Sequence, residues 1–78
     1  MNDIKPEHVA RFRRYARQMN KLMNEITKYN PEANLYAEDS WNLNLMKGPT
    51  HGDDSNQSPL YENVVESESV YTLGGGGW

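Results

Sequence analysis

Hydrophobic positions along this chain follow two different rhythms. Val9, Phe12, Ala16, Met19, Met23 and Ile26 recur at alternating steps of three and four. At 3.6 residues per turn this spacing draws one apolar seam, and it predicts a helix over residues 6–29. Tyr15, Leu22 and Tyr29, spaced by seven, flank the seam and widen it into a face. The opposite side carries Arg11, Arg13, Arg14, Arg17, Lys21 and Lys28. Pro6 suits the first helical position, where no N–H is needed, and Glu7 complements the positive end of the helix dipole. Asn30-Pro31 closes the helix, because the residue before proline is pushed out of the α region.

From Ala33 the period drops to two. Leu35 and Ala37 alternate with Asn34 and Tyr36. Beyond the turn signal Glu38-Asp39-Ser40, Trp41, Leu43 and Leu45 alternate with Asn42, Asn44 and Met46. This predicts a hairpin whose Trp41, Leu43 and Leu45 form one face, turned to the helix. A Gly-, Pro- and Asp-rich loop follows, with its tip around residues 53–58. Residues 61–73 return to a strand pattern, with Val65, Ser67, Ser69, Tyr71 and Leu73 on one face and Val64, Glu66, Glu68, Val70 and Thr72 on the other. The expected fold class is α+β in a single domain, 1–78. One long N-terminal amphipathic helix packs with a three-stranded antiparallel β-meander over about 33–73, and a Gly-rich tail occupies 74–78.

Size turns this outline into a prediction about assembly. A helix over 6–29 is about 36 Å long, whereas a compact domain of 78 residues has a radius of gyration of roughly 11–12 Å. The helix overhangs its own sheet, so the seam of Val9, Phe12, Ala16, Met19, Met23 and Ile26 is expected to be covered by another copy of the chain in a homo-oligomer. Charge divides the same way. Residues 1–29 hold seven Lys/Arg against three acids, a net of +4, and residues 30–78 hold Lys47 against eight acids, a net of −7. Opposite halves attract within or between chains, although each is equally consistent with a solvated face. The chain has no cysteine, which excludes disulfides and thiolate metal sites. There is no apolar run long enough to span a bilayer and no secretory signal pattern at the N-terminus, so a cytoplasmic protein without a membrane partner is expected.

The best candidate for a binding site is the stretch from Lys47 to His51. Lys47 is the sole base after residue 28, Gly48 permits close backbone approach, Pro49 shapes the turn, and Thr50 and His51 add donors. In composition this resembles an anion-binding nest, without the spacing of a Walker loop; an ordinary Gly-Pro turn gives the same letters. Arg13 and Arg17 would supply further positive charge, and Trp78 an aromatic ring for stacking. His51 with Asp53 or Asp54 makes no complete metal set and no oriented acid–base pair, so no cofactor, metal or enzymatic activity is expected. Nucleic acid is a poor partner for a chain with a net charge of −3 and no recognisable binding motif. Residues 74–78 read either as an appended tail or as a native segment carrying Trp78 into a pocket on a neighbour.

The segment LNLMKGPTH after a Tyr/Trp hairpin, the acidic strand and a Gly-rich terminus ending in Trp together resemble a family of very short tailed-phage accessory proteins. These have an LxLMxGPxH segment and an end like GGxW. The matching positions are Leu43, Leu45, Met46, Gly48, Pro49, His51, Gly76 and Trp78; Gly77 stands where the family pattern has an acid. The resemblance implies a viral protein working in the bacterial host cell, and it favours a native tail. Small phage proteins of this build often act stoichiometrically against host systems, so the resemblance implies two expected functions. One is a homo-oligomeric sponge for a nucleotide-type immune signal, a cyclic oligonucleotide or an ADP-ribose derivative. The other is a protein–protein inhibitor that caps a host defence enzyme with its acidic strand face.

Overall fold

The computed structural model describes residues 3–38, 41–53 and 57–75. Its elements are α1 (Pro6–Thr27), β1 (Asn34–Glu38), β2 (Asn42–Met46), a single 3₁₀ turn (Tyr61–Asn63) and β3 (Val64–Ser69). The three strands form an antiparallel sheet in the order β1-β2-β3. The architecture is thus the expected α+β arrangement.

The helix ends two residues earlier than the periodicity predicts. Lys28 is its C-cap, and the N–H groups of Tyr29 and Asn30 both return to the carbonyl of Ile26 in a closing turn. At its start Lys5 supplies no side-chain cap oxygen. Instead the Lys5 N–H donates to Nδ1 of His8 at 3.2 Å, so an imidazole does the work that Glu or Gln does in a capping box.

Sheet and helix differ from expectation in how they pack. The extensive contacts between elements are those of β1 with β2 and of β2 with β3; helix against sheet is not among them. No helix residue is buried, and only Ala16, Met23, Ile26 and Thr27 are half-buried. The helix, about 33 Å long, therefore projects past the sheet in a molecule of 44 × 30 × 18 Å with a radius of gyration of 14.8 Å.

The cross-strand register assigns the sheet faces. Leu35 and Ala37 lie opposite Leu45 and Leu43, which lie opposite Glu66 and Glu68. The other face carries Asn34, Tyr36 and Glu38, then Asn42, Asn44 and Met46, then Val64, Ser67 and Ser69. Among the described residues the large side chains that are fully covered are Met46, 0% exposed, and Asn44, 2% exposed, both on this second, mostly polar face. The Leu43/Leu45 face, expected to turn to the helix, is only half-buried at those leucines, and the buried residues of β2 lie on the opposite face. Trp41 is not in the strand at all. It sits in the turn before β2 at φ 63, half exposed, with its ring edge-on to Tyr71 at 5.2 Å. A register irregularity at Leu45/Met46 leaves Val65 unpaired, and the 3₁₀ turn takes up residues 61–63. β3 therefore starts later than Tyr61 and stops at Ser69.

Candidate functional site

The stretch from Lys47 to His51 leaves β2 and folds back beneath the polar face of the sheet. Three asparagines hold it there. The Asn30 amide donates to the carbonyl of Lys47 at 2.9 Å, Asn34 to that of Gly48 at 3.0 Å, and Asn63 to that of Pro49 at 2.9 Å. The Lys47 N–H donates to the Asn63 carbonyl at 2.8 Å, and the Leu60 N–H to the Thr50 carbonyl at 2.9 Å. Farther out, His51 bridges to Pro59, and the Gly52 N–H donates to Ser58. A side-chain amide placed after the helix, in β1 and before β3 thus answers each of the three carbonyls.

This scaffold changes the reason for Gly48. A Cβ there would come within 3.1 Å of the Asn63 amide nitrogen, and Gly48 is buried. The glycine accommodates the chain's own asparagine rather than an approaching ligand. Lys47 remains exposed, and Thr50 and His51 are half-buried, with Thr50 Oγ1 and His51 Nδ1 hydrogen-bonded at 3.0 Å. The His51 ring stands edge-on to Tyr36, centroid to centroid 6.0 Å. Thr50, His51 and Tyr36 thus stand together, and Lys47 is exposed just beyond the end of β2. These groups suit hydrogen bonding to a polar or anionic ligand. They do not make a nucleophile with an oriented base.

The predicted arginines stand elsewhere in the single chain. Arg17 and Arg13 precede Thr27 by about 15 Å and 21 Å of helix axis, and Lys47 is tied to Asn30 beyond that end. One chain therefore does not bring Arg13 or Arg17 to the Lys47 loop. Trp78, Gly76 and Gly77 lie outside the described residues, as do Asp54 and the rest of the loop tip at 54–56. Asp53 is exposed, and among the described residues no group of three His, Asp or Glu could hold a metal ion. No helix among them is long and apolar enough to cross a membrane.

The helix face is the other conspicuous surface. Ile4 and Phe12 are 63% and 72% exposed, and Val9, Tyr15, Met19 and Leu22 are exposed as well. Near the N-terminal end Ile4, His8, Val9 and Phe12 line an open apolar groove of about 560 Å³. On the flank of the seam the Arg11 guanidinium, by a hydrogen bond and then by its charge, holds the Tyr15 phenol below the ordinary tyrosine value.

Sequence reasoning identified the seam, the loop and the exposed lysine. It missed the asparagine staples, although the signal was present: Asn30, Asn34 and Asn63 each stand at the edge of an element, where a side-chain amide can reach loop carbonyls. Comparison with known proteins adds no assignment, since no protein-family profile, curated protein or solved structure matches the chain.

Proposed function

We propose that the protein is a non-enzymatic binding protein of phage type, working in the bacterial cytoplasm as a homo-oligomer that sequesters a small nucleotide-type immune signal. The observation that carries this reading is the apolar helix face left uncovered by the chain's own sheet, from Ile4 through Leu22. Burying a side chain of Leu or Phe size contributes about 1.5–3 kcal/mol, so a face with six exposed large apolar residues favours an assembly. The ligand site is the end of the sheet. Lys47 meets a phosphate charge, Thr50 and His51 hydrogen-bond its oxygens, and the Tyr36 edge lies beside them. The remaining charge for a multiply charged ligand comes, in this reading, from Arg13 on the helix of a neighbouring subunit.

Calorimetric titration of cyclic dinucleotides and cyclic ADP-ribose-type compounds into the unaltered chain, Lys47→Ala and Arg13→Ala tests the reading. Binding that weakens in both variants is the expected outcome; absence of binding below the millimolar range overturns the ligand.

A second reading rests on a separate observation. β3 is an edge strand, and its Glu66 and Glu68 are exposed in the acidic half of the chain. Such a strand suits a basic surface on a host enzyme, and a stoichiometric complex that releases no ultraviolet-absorbing ligand on heating would favour this function.

A further inference from the structure

The helix face is lopsided, and its lopsidedness specifies how two copies meet. Val9, Ala16 and Met23 occupy one core position of a heptad, and Phe12, Met19 and Ile26 the other. The flank preceding the first core position carries His8, Tyr15, Leu22 and Tyr29; the flank following the second carries Arg13, Asn20 and Thr27. One flank is broad and mostly apolar, the other polar.

In a parallel pair each apolar flank would lie against the polar flank of the other copy, with His8 beside Arg13. In an antiparallel pair like flanks meet. Tyr15 then packs beside Leu22 of the second copy, and the two apolar flanks close into one wall. From the heptad register and the exposed face we infer that two copies of this chain pair through α1 as an antiparallel two-helix seam, with core layers Val9–Ile26, Phe12–Met23 and Ala16–Met19. This register engages all six core residues, of which Val9, Phe12 and Met19 are exposed in the single chain and Ala16, Met23 and Ile26 half-buried.

Two otherwise unrelated features are explained together. Tyr29 is 91% exposed at the end of one helix, and the groove lined by Ile4, His8, Val9 and Phe12 lies at the start of the other. The antiparallel register places Tyr29 of the second copy beside His8, where its ring fills that groove. Aromatic rings carry about 150–250 Å² each. With Phe12, Tyr15, Tyr29 and their aliphatic neighbours drawn from both copies, the covered area is on the order of 1,200 Å², the lower bound for a stable interface.

The pairing also deepens the proposed ligand site, and it rests on the oligomeric part of that proposal. Arg13 lies about 21 Å of helix axis from its own Thr27 but about 8 Å from the level of Thr27 in the second copy. An arginine is thereby carried toward the partner copy's Lys47 loop, which one chain cannot complete. Arg17 stays distant in either arrangement.

Because the chain has no cysteine, introduced thiols report the geometry directly. Phe12→Cys with Met23→Cys in one chain should give a disulfide-linked dimer under mild oxidation. Each single variant should stay unlinked, since its own two copies lie about 16 Å apart along the axis, far beyond the roughly 7 Å that a disulfide spans. If the double variant fails to fold by circular dichroism, Val9→Cys with Ile26→Cys tests the same register. Linking of Phe12→Cys alone would establish a parallel pair and overturn the inference. Failure of a folded double variant to link, or a monomer for the unaltered chain at sub-millimolar concentration in sedimentation equilibrium, overturns it as well. A linked dimer that binds no nucleotide leaves the pairing standing and removes only the sponge.

Discussion

The two halves of this molecule close their surfaces to very different degrees. In the sheet and its loop, polar groups are answered internally. Ser67 Oγ donates to Oδ1 of the nearly buried Asn44 at 2.6 Å, Asn42 donates to Glu38 at 3.2 Å, and three asparagines hold the carbonyls of Lys47, Gly48 and Pro49. Among the described residues no buried side-chain nitrogen or oxygen lacks a partner. The helix has the stronger sequence signal, yet no residue of it is buried. The sheet is therefore the more self-contained unit, whereas the helix leaves much of its apolar face open in the single chain.

Deleting the floor of the sheet breaks the comparison most severely. Met46→Ala removes a side chain with no exposure, and a large-to-small change at such a position costs about 2–5 kcal/mol. In a protein of this size that is expected to abolish the cooperative melting transition. Phe12→Asp with Met19→Asp alters the other half and should behave in the opposite way. Both residues are exposed, so the strand signal in circular dichroism should persist while the concentration dependence of sedimentation disappears. Loss of the sheet in the second variant would show that the helix supports the fold after all.

Removing the polar centre is the next step down. Asn44→Ala strips the acceptor from Ser67 Oγ and should cost about 1–3 kcal/mol, read as a lower denaturation midpoint in urea. Asn44 also marks the limit of what the sequence discloses. The period of 3.6 disclosed the helix and its seam, and the period of two disclosed the hairpin, because both follow from side-chain direction alone. Where the following loop runs is a different matter. That route is set by amide-to-carbonyl bonds from Asn30, Asn34 and Asn63, whose partners are distant in sequence. Alternation made Leu43 and Leu45 the natural covered face, yet the buried residues of β2 are Asn44 and Met46. Trp41 shows the same limit. Its apolar ring suggests a core strand residue, while its positive φ places it in a turn against Tyr71. For the candidate site the exposed Lys47 was legible, but the structural reason for Gly48 was not.

The glycine tail provides a graded pair of substitutions at the boundary of the self-contained half. A Cβ on Gly75 would stand 2.7 Å from the Ala37 carbonyl oxygen, whereas one on Gly74 meets nothing within 4 Å. The obstacle at Gly75 is backbone, so it cannot swing aside as a flexible side chain could. Gly75→Ala should cost about 1–3 kcal/mol, in the range of overpacking, and Gly74→Ala should be neutral or stabilising by about 0.4–1 kcal/mol. Equal melting temperatures for the two variants would show that the segment does not rest on β1 in solution.

The smallest effect is the one that reports on the helix face without disturbing it. Arg11 holds the Tyr15 phenol below its ordinary value, chiefly by a hydrogen bond to it and further by its charge. Arg11→Ala should therefore raise the pH at which the Tyr15 ring ionises, observed as the near-ultraviolet difference between each chain and its Tyr15→Phe counterpart. Pairing acts in the reverse direction to Arg11. In the proposed pair, packing Tyr15 beside Leu22 of a second copy would remove water from the ring, and desolvation disfavours tyrosinate, so the phenol should titrate higher in the pair than in the single chain. By linkage the pair is then favoured below that titration and weakens as pH rises through it. Raising the protein concentration should accordingly shift the Tyr15 signal to higher pH. A titration that is the same at every concentration would mean that Tyr15 stays in water in whatever assembly forms, and the apolar flank would have to face a different partner.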